Sequence, residues 1–284
     1  LVKPTIMQGT PSFWRLLLTA GWPGLNDVKI ISGGEPITYD LIRELLPKSR
    51  ELWNGYGPTE TTVFATCCKI TSESDPITIG KPIDNTFTYI LDNFLQPVPV
   101  GVAGELFIGG VGLADEYINR PDLTAEKFIP DSFKSGKMYK TGDLTKYRSD
   151  GSIEYLGRID NQVKVRGYRI ELGEIENTIN QITTVGKCVV IAVELQAGDV
   201  RLVAYVVPKQ LRVFSSDEIR GVLRNKLPEY MIPQHIIEMT ELPLTPSGKT
   251  DRKSLLVLFK ETQQNVARSA KQPQTKLQFQ LQAI

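Results

Sequence analysis

Leu52-Trp53-Asn54-Gly55-Tyr56-Gly57-Pro58-Thr59-Glu60 opens as an apolar strand and breaks into a turn rich in glycine and proline. The turn presents an aromatic ring, a hydroxyl and a carboxylate within a few positions. These groups suit stacking on a purine, donation to a phosphate oxygen and coordination of Mg2+, a hard ion that takes oxygen ligands. A structural loop with a packed tyrosine and a solvated glutamate fits the same residues equally well. Upstream, the signals alternate between helix and strand, which favours an α/β layer structure. Thr10-Pro11 starts a helix, with threonine as cap and proline in the first turn, and Gly21 stops it after Phe13 to Ala20. Val28 to Ile31 reads as a buried strand ending at Gly33-Gly34, and Thr38 caps a helix over Tyr39 to Leu46.

Downstream, from Asp75 to Gly157, short strands are broken by Gly and Pro: Thr86 to Leu91, Glu105 to Ile108, and Leu144 to Tyr155. Asp150-Gly151 predicts a hairpin turn with positive φ at both central positions. This section reads as a small β-barrel or curved sheet. After Arg158 the pattern changes again, with Leu172, Ile175, Ile179 and Ile182 on one helical face. Strands over Lys187 to Glu194 and Arg201 to Val207 follow, joined by a turn at Ala197-Gly198-Asp199. A Ser215/Glu218 capping box then opens a helix, and the Gln234 to Met239 strand comes next. The expected organisation is a larger α/β unit over 1–158, a small α+β unit over 159–260, and a flexible linker over 261–284. Leu277, Leu281 and Ile284 begin a further helix.

Composition excludes several function classes. Lys and Arg number 33 against 32 acids, so no charge excess points to nucleic acid or an anionic membrane. Apolar runs such as Cys188 to Val193 are far below the ~20 residues of a membrane span, and no leader pattern opens the chain, so the expected location is cytoplasmic. Three cysteines, two of them adjacent, give no disulfide framework, and one histidine, His235, leaves little room for zinc or Ser-His-Asp chemistry.

Three more motifs carry polar chemistry. Tyr139-Lys140-Thr141-Gly142-Asp143 puts a carboxylate at a strand edge, able to accept from a ribose diol, although Thr-Gly-Asp is common in turns. Gly157-Arg158-Ile159-Asp160-Asn161-Gln162-Val163-Lys164-Val165-Arg166-Gly167-Tyr168-Arg169 gathers four basic residues and one acid, suited to phosphate or simply to solvent. Leu244-Thr245-Pro246-Ser247-Gly248-Lys249-Thr250-Asp251-Arg252 ends in a lysine on a small turn that reads as mobile. The Gly110-Val111-Gly112 run lacks the third glycine of a dinucleotide fingerprint and reads as a tight bend.

Taken in order, NGYGPTE, GELFIGGVGLADEYINRPDLTAEKFI, YKTGDL, GRIDNQVKVRGYRIELGEIE, LPEYMIP and LPLTPSGKTDR resemble the adenylate-forming superfamily, and most closely the amino-acid-activating adenylation domains of nonribosomal peptide synthetases. Acyl-CoA ligases and aryl acid-activating enzymes share the first reaction and remain an alternative, as does a non-catalytic ATP-binding or partner-binding scaffold. The resemblance implies ATP and Mg2+ as reactants, a phosphopantetheine thiol on a partner carrier domain as acceptor, and a condensation domain in the full synthetase. It implies that Asn54 and Tyr56 bind the nucleotide, Tyr56 by stacking on adenine. Thr59 would contact the α-phosphate and Glu60 hold Mg2+. Asp143 would bind both ribose hydroxyls, Tyr155 line the nucleotide, and Arg158 reach the ribose or phosphates. Lys249 would bridge the substrate carboxylate and phosphate, while Lys164 would enter after rotation about a hinge at Asp160. Thiol access would then open near Gly167.

By the same resemblance Gln8, Ile31, Gly33, Gly55, Val63 and Phe64 line the substrate pocket, whose uncharged mix favours an apolar amino acid of medium size. The resemblance also places the family's pyrophosphate loop and the acid that meets the substrate amine upstream of Leu1, and the carrier domain from about Pro273. The chain therefore reads as the C-terminal part of such a domain, with little activity alone. The hinge role predicts that Asp160→Pro, by fixing φ, lowers thioester formation more than adenylation when the half-reactions are assayed separately; equal losses would remove that assignment.

Overall fold

β1 (Ile6–Gly9), α1 (Pro11–Thr19), β2 (Leu25–Gly33), α2 (Tyr39–Leu45) and β3 (Ser49–Tyr56) form two successive β-α-β crossovers in the computed structural model. It describes residues 4–160, 162–165, 167–196, 199–209, 215–246 and 248–271. The helices are needed because parallel strands cannot be joined by a tight hairpin. Thr10 caps α1, its Oγ1 accepting from the Phe13 amide at 3.2 Å. Thr38 makes no such bond to α2; its hydroxyl accepts from Arg15 Nη2 at 2.6 Å instead, so the guanidinium competes successfully for the expected cap. Val28, Ile30 and Leu52 from the strands pack with Trp14, Leu41, Ile42 and Leu45 from the helices, all nearly or fully excluded from solvent. The Trp14 indole N–H donates to the Gly9 carbonyl at 3.1 Å, which removes the cost of burying it.

β4 (Thr66–Ile70) and β5 (Lys81–Pro82) extend this sheet antiparallel, giving the order β1-β2-β3-β4-β5. The β-rich section is a second sheet. β6 (Thr86–Leu91), β7 (Gly104–Gly110), a short helix α3 (Pro121–Lys127), β8 (Phe128–Pro130), β9 (Lys137–Tyr147) and β10 (Ile153–Arg158) follow in sequence. They pair in the order β10-β9-β7-β6, with β8 on β9. The β9–β10 turn corrects the expected geometry. Positive φ occurs at Gly151 (+80°) but not at Asp150. The Gly151 amide donates to Arg148 O at 3.0 Å and the Arg148 amide to Ser152 O at 2.8 Å, so a tight turn is followed by one left-handed glycine.

β11 (Gln162–Val165) and β12 (Tyr168–Glu171) come next. By packing, the chain divides into compact units Leu1–Arg169 and Ile170–Ile284. The sequence pattern changes earlier, at Arg158. Residues 159–169 belong with the first unit here because several are tied to it: the Ile159 amide donates to Gly142 O at 2.9 Å, and Arg169 pairs with Glu60.

The second unit contains α4 (Leu172–Asn180), β13 (Val185–Gln196), β14 (Asp199–Pro208), α5 (Ser216–Lys226), β15 (His235–Glu238) and α6 (Arg252–Lys271). β13 and β14 pair antiparallel through a turn whose Ala197 and Gly198 lie outside the described residues; β15 joins β14 in parallel after the α5 crossover. Ser215 caps α5 by accepting from the Glu218 amide at 3.2 Å. Val189, Ile191, Val203, Tyr205, Leu255 and Phe259 form the core on one face of the sheet. α6 covers positions 261–271, where a flexible linker was expected. Residues such as Glu261, Gln263 and Gln264 are good helix formers, and a helix requires no apolar stripe once its first turns are anchored by Leu255 and Phe259. Leu277, Leu281 and Ile284 lie outside the described residues. Among those described, no helix is long and apolar enough to cross a membrane.

Candidate active site

Gly142 interrupts β9. Its φ of +74° is open to glycine at little cost, and the pairing of β9 with β7 slips by two residues alongside it. Its amide turns out of the ladder and donates to Glu105 Oε1 at 2.9 Å, while Thr141 Oγ1 donates to Leu106 O at 2.7 Å and accepts from the Asp143 amide at 3.0 Å. This kink turns the next carboxylate inward. Asp143, 5% exposed, accepts from the Tyr56 hydroxyl on one oxygen and from Arg158 Nη1 at 3.0 Å on the other. Burial pushes its carboxyl above the usual range, partly offset by Arg158 and by the Tyr56 hydrogen bond. The sequence placed Asp143 at a strand edge. It lies within β9, flanked by β7 and β10, and is buried there rather than presented at an edge.

A cavity of about 230 Å³ opens beside this pair. Its walls come from Gly34 to Ile37 after β2, Asn54 to Tyr56 at the end of β3, Ile77 to Ile79, and Tyr155 with Lys164. A crevice at the carboxyl ends of parallel strands is where open α/β sheets bind ligands. Asn54 Nδ2 donates to Thr78 O at 2.7 Å, so this side chain ties two walls together. The Lys164 ammonium lies 5.9 Å from the centre of the Tyr56 ring, and burial pulls its pKa down against the attraction of Asp143. Asn54, Tyr56, Asp143, Tyr155, Arg158 and Lys164 are thus gathered in one region of the first unit. Asp160 joins them through Arg158, whose Nε donates to Oδ1 at 2.7 Å.

Glu60 belongs to a separate network. It sits in a short turn after β3, 8% exposed, beside the exposed Thr59. Arg169 Nη1 reaches both of its oxygens, at 2.9 and 2.7 Å, and Tyr117 donates its hydroxyl to Oε1 at 2.5 Å. Arg169 also donates to Tyr139 Oη at 3.2 Å. Burial pushes the Glu60 carboxyl up, but the Tyr117 hydrogen bond and Arg169 outweigh it and hold the group below its ordinary value. Tyr117, Tyr139 and Arg169 went unassigned in the sequence although each lies inside a quoted motif. The long chain separations, 57 and 109 residues from Glu60, hide the cluster from any local reading. No group of three or more metal-ligating side chains occurs among the described residues.

The expected pocket positions are partly gathered. Gln8 pairs with Ile31, and Gly33 with Gly55, on adjacent parallel strands. A Cβ at Gly55 would lie 2.5 Å from the Phe64 ring, and one at Gly33 would lie 2.6 Å from the Gly55 carbonyl oxygen, so a side chain at either position would force its neighbour to shift. Val63 stands apart, 57% exposed, and together with Thr62 it holds positive φ (+66° and +58°), a costly conformation for β-branched residues. Lys249 belongs to the second unit. It is exposed, and nearby the Thr245 amide donates to Lys249 O (2.7 Å) and the Gly248 amide to Thr245 O (2.9 Å). Ser247, Arg166 and Asn161 lie outside the described residues.

The Glu60 network yields a pH-dependent expectation. Arg169→Gln leaves a buried carboxylate with fewer donors and should cost about 3 kcal/mol at pH 7, the low end for breaking a buried pair, because Arg169 is partly exposed. A depressed carboxyl contributes stability that is present above its unfolded pKa, near 4.5, and is lost as pH falls through the folded value. The deficit, read by urea denaturation, should therefore shrink below pH 4.5; a deficit unchanged with pH would show that Arg169 acts by packing alone.

Comparison with known proteins accords with this geometry. The AMP-binding enzyme model matches residues 2–118, and that of the AMP-binding enzyme C-terminal domain matches residues 174–249. A dimodular nonribosomal peptide synthase of Bacillus subtilis (strain 168) is 46% identical over 88% of this chain, which spans 11% of that relative's length. Among solved structures, a four-domain nonribosomal peptide synthetase bound to AMP and glycine is 41% identical with a TM-score of 0.54, over 88% of this chain and 19% of the other. Holo-PA1221, with adenylation and PCP domains bound to a vinylsulfonamide inhibitor, is 30% identical with a TM-score of 0.76, over 89% of this chain and 44% of the other. On two family models matched in consecutive order, the chain belongs to the AMP-binding family of adenylate-forming enzymes.

Proposed function

We propose that the chain supplies part of an adenylation unit that activates an amino acid with ATP and passes it to a phosphopantetheine thiol in nonribosomal peptide synthesis. The observation that carries this reading is the cavity lined by Tyr56, whose hydroxyl donates to the buried carboxylate of Asp143, a group with lone pairs left to accept from a ribose diol. Adenine would lie against Tyr56, with Tyr155 on the same wall, and the ribose hydroxyls would donate to Asp143. The relatives are synthetases, and the PCP domain of holo-PA1221 supports a carrier domain as partner. A condensation domain would act on the product, and a cytoplasmic location suits the use of ATP.

In the first half-reaction a carboxylate oxygen of the amino acid attacks the α-phosphorus of ATP, and the bond to pyrophosphate breaks. The site's task is to hold the two anions in line and offset their repulsion. Thr59, exposed beside Glu60, would donate to the α-phosphate, and Lys249 would neutralise charge on the substrate carboxylate and phosphate. Mg2+ arriving on the phosphates would polarise them, with Glu60 as its protein ligand, which requires Arg169 to release that carboxylate. In the second half-reaction the thiol attacks the acyl carbon and AMP leaves; Lys164 already lines the cavity, contrary to the expectation that it enters after rotation, so rotation about Asp160 would serve to withdraw Lys249 rather than to bring Lys164 in. The apolar character of Ile31, Val63 and Phe64 supports an apolar amino acid as substrate.

ATP–pyrophosphate exchange in the synthetase polypeptide that carries this sequence tests the reading. Lys249→Gln should lower kcat by about 100-fold or more with little change in KM for ATP, and Asp143→Asn should raise KM for ATP about tenfold. Exchange driven only by plain carboxylic acids, or nucleotide binding with no exchange, would replace the reading with a ligase or a scaffold.

A further inference from the structure

Arg158 holds two carboxylates with one guanidinium. Nη1 reaches Asp143 Oδ1 at 3.0 Å, while Nε and Nη2 grip both oxygens of Asp160 at 2.7 and 2.5 Å. The Asp160 side chain also accepts from the Gln162 amide at 3.1 Å, and the intervening Ile159 amide donates to Gly142 O at 2.9 Å. A planar fork held at two of its nitrogens has little freedom in where the third points. Gly142 completes the arrangement: a Cβ there would lie 2.7 Å from both Arg158 Nη2 and Asp160 Oδ2, so the glycine that kinks β9 also leaves room for the clamp.

We propose that Asp160, through Arg158, positions Asp143 for ribose, so that the hinge carboxylate controls recognition of the nucleotide's diol without touching it. The proposal rests on the reading of Asp143 as the ribose acceptor. With the clamp closed, the Asp143 carboxylate is fixed in the plane set by Arg158 and Tyr56, and the two hydroxyls meet oriented acceptors. A change of backbone angles at Asp160 opens the two-bond grip, frees the fork and loosens Asp143. Release of the adenylate's ribose is then coupled to the conformation of the hinge. Arg158 and Asp160 are positioning residues in this scheme.

Titration calorimetry with AMP and with 2′,3′-dideoxy-AMP separates this role from general loss of structure, because only the first ligand carries the diol. Wild type should bind AMP at least about tenfold more tightly, as expected for hydrogen bonds to a charged acceptor. In Asp160→Asn, and independently in Arg158→Lys, which keeps a charge but cannot make the fork, the preference should fall to about threefold or less while dideoxy-AMP affinity stays within about twofold. A preference retained in both variants, or equal loss of both ligands, overturns the coupling alone. Failure of wild type to prefer AMP overturns the ribose role of Asp143, and the coupling with it.

Discussion

A carboxylate removed from water remains useful as an acceptor only where neighbouring donors replace its hydration, and Asp143 is held under that constraint. Its two oxygens are met by Tyr56 from one sheet and Arg158 from the next, so the ligand-facing end of the parallel layer and the kinked strand of the antiparallel layer are registered on a single anion. The kink depends on Gly142, the kink's displaced amide on Glu105, and the orientation of Arg158 on Asp160. Tyr56, Arg158, Gly142 and Asp160 are therefore fixed, directly or at one remove, by where this side chain must point.

Glu60 is a contrasting solution to the same problem. Both carboxylates are nearly inaccessible, yet Asp143 is pushed up and Glu60 held down. Asp143 shares its one guanidinium with Asp160, whereas Glu60 receives Arg169 on both oxygens and Tyr117 besides. The adjoining Thr62 and Val63, both in the left-handed region, show that the chain near Glu60 is held in a costly shape, and the Thr62 hydroxyl bond to Gly112 O at 2.7 Å helps to hold it.

Local signals were legible where one residue decides the outcome. Thr10-Pro11, Ser215 and Gly21 marked helix ends, and the alternation of β2, α2 and β3 announced an α/β layer. The signals failed where a distant side chain intervenes. Arg15 takes the Thr38 hydroxyl, and α6 extends through a polar stretch because its first turns are anchored in the core. At the site, the motifs identified Tyr56, Asp143, Arg158 and Lys164, which the fold brings together, but not Tyr117, Tyr139 or Arg169, because ion pairs spanning a hundred residues leave no period or spacing to read. Asp143 was expected at a strand edge but lies buried within β9, where the register shift alongside Gly142 accompanies its turn toward Tyr56 and Arg158.

The central claim, that a nucleotide's sugar is received by a buried carboxylate held in place by its resident donors, is open to direct inspection. A crystal structure of the protein with AMP should place the base against the Tyr56 ring within the cavity and both ribose hydroxyls within hydrogen-bond reach of Asp143, with Arg158 still bridging Asp143 and Asp160. AMP bound elsewhere, with no ribose hydroxyl at that carboxylate, would contradict the account.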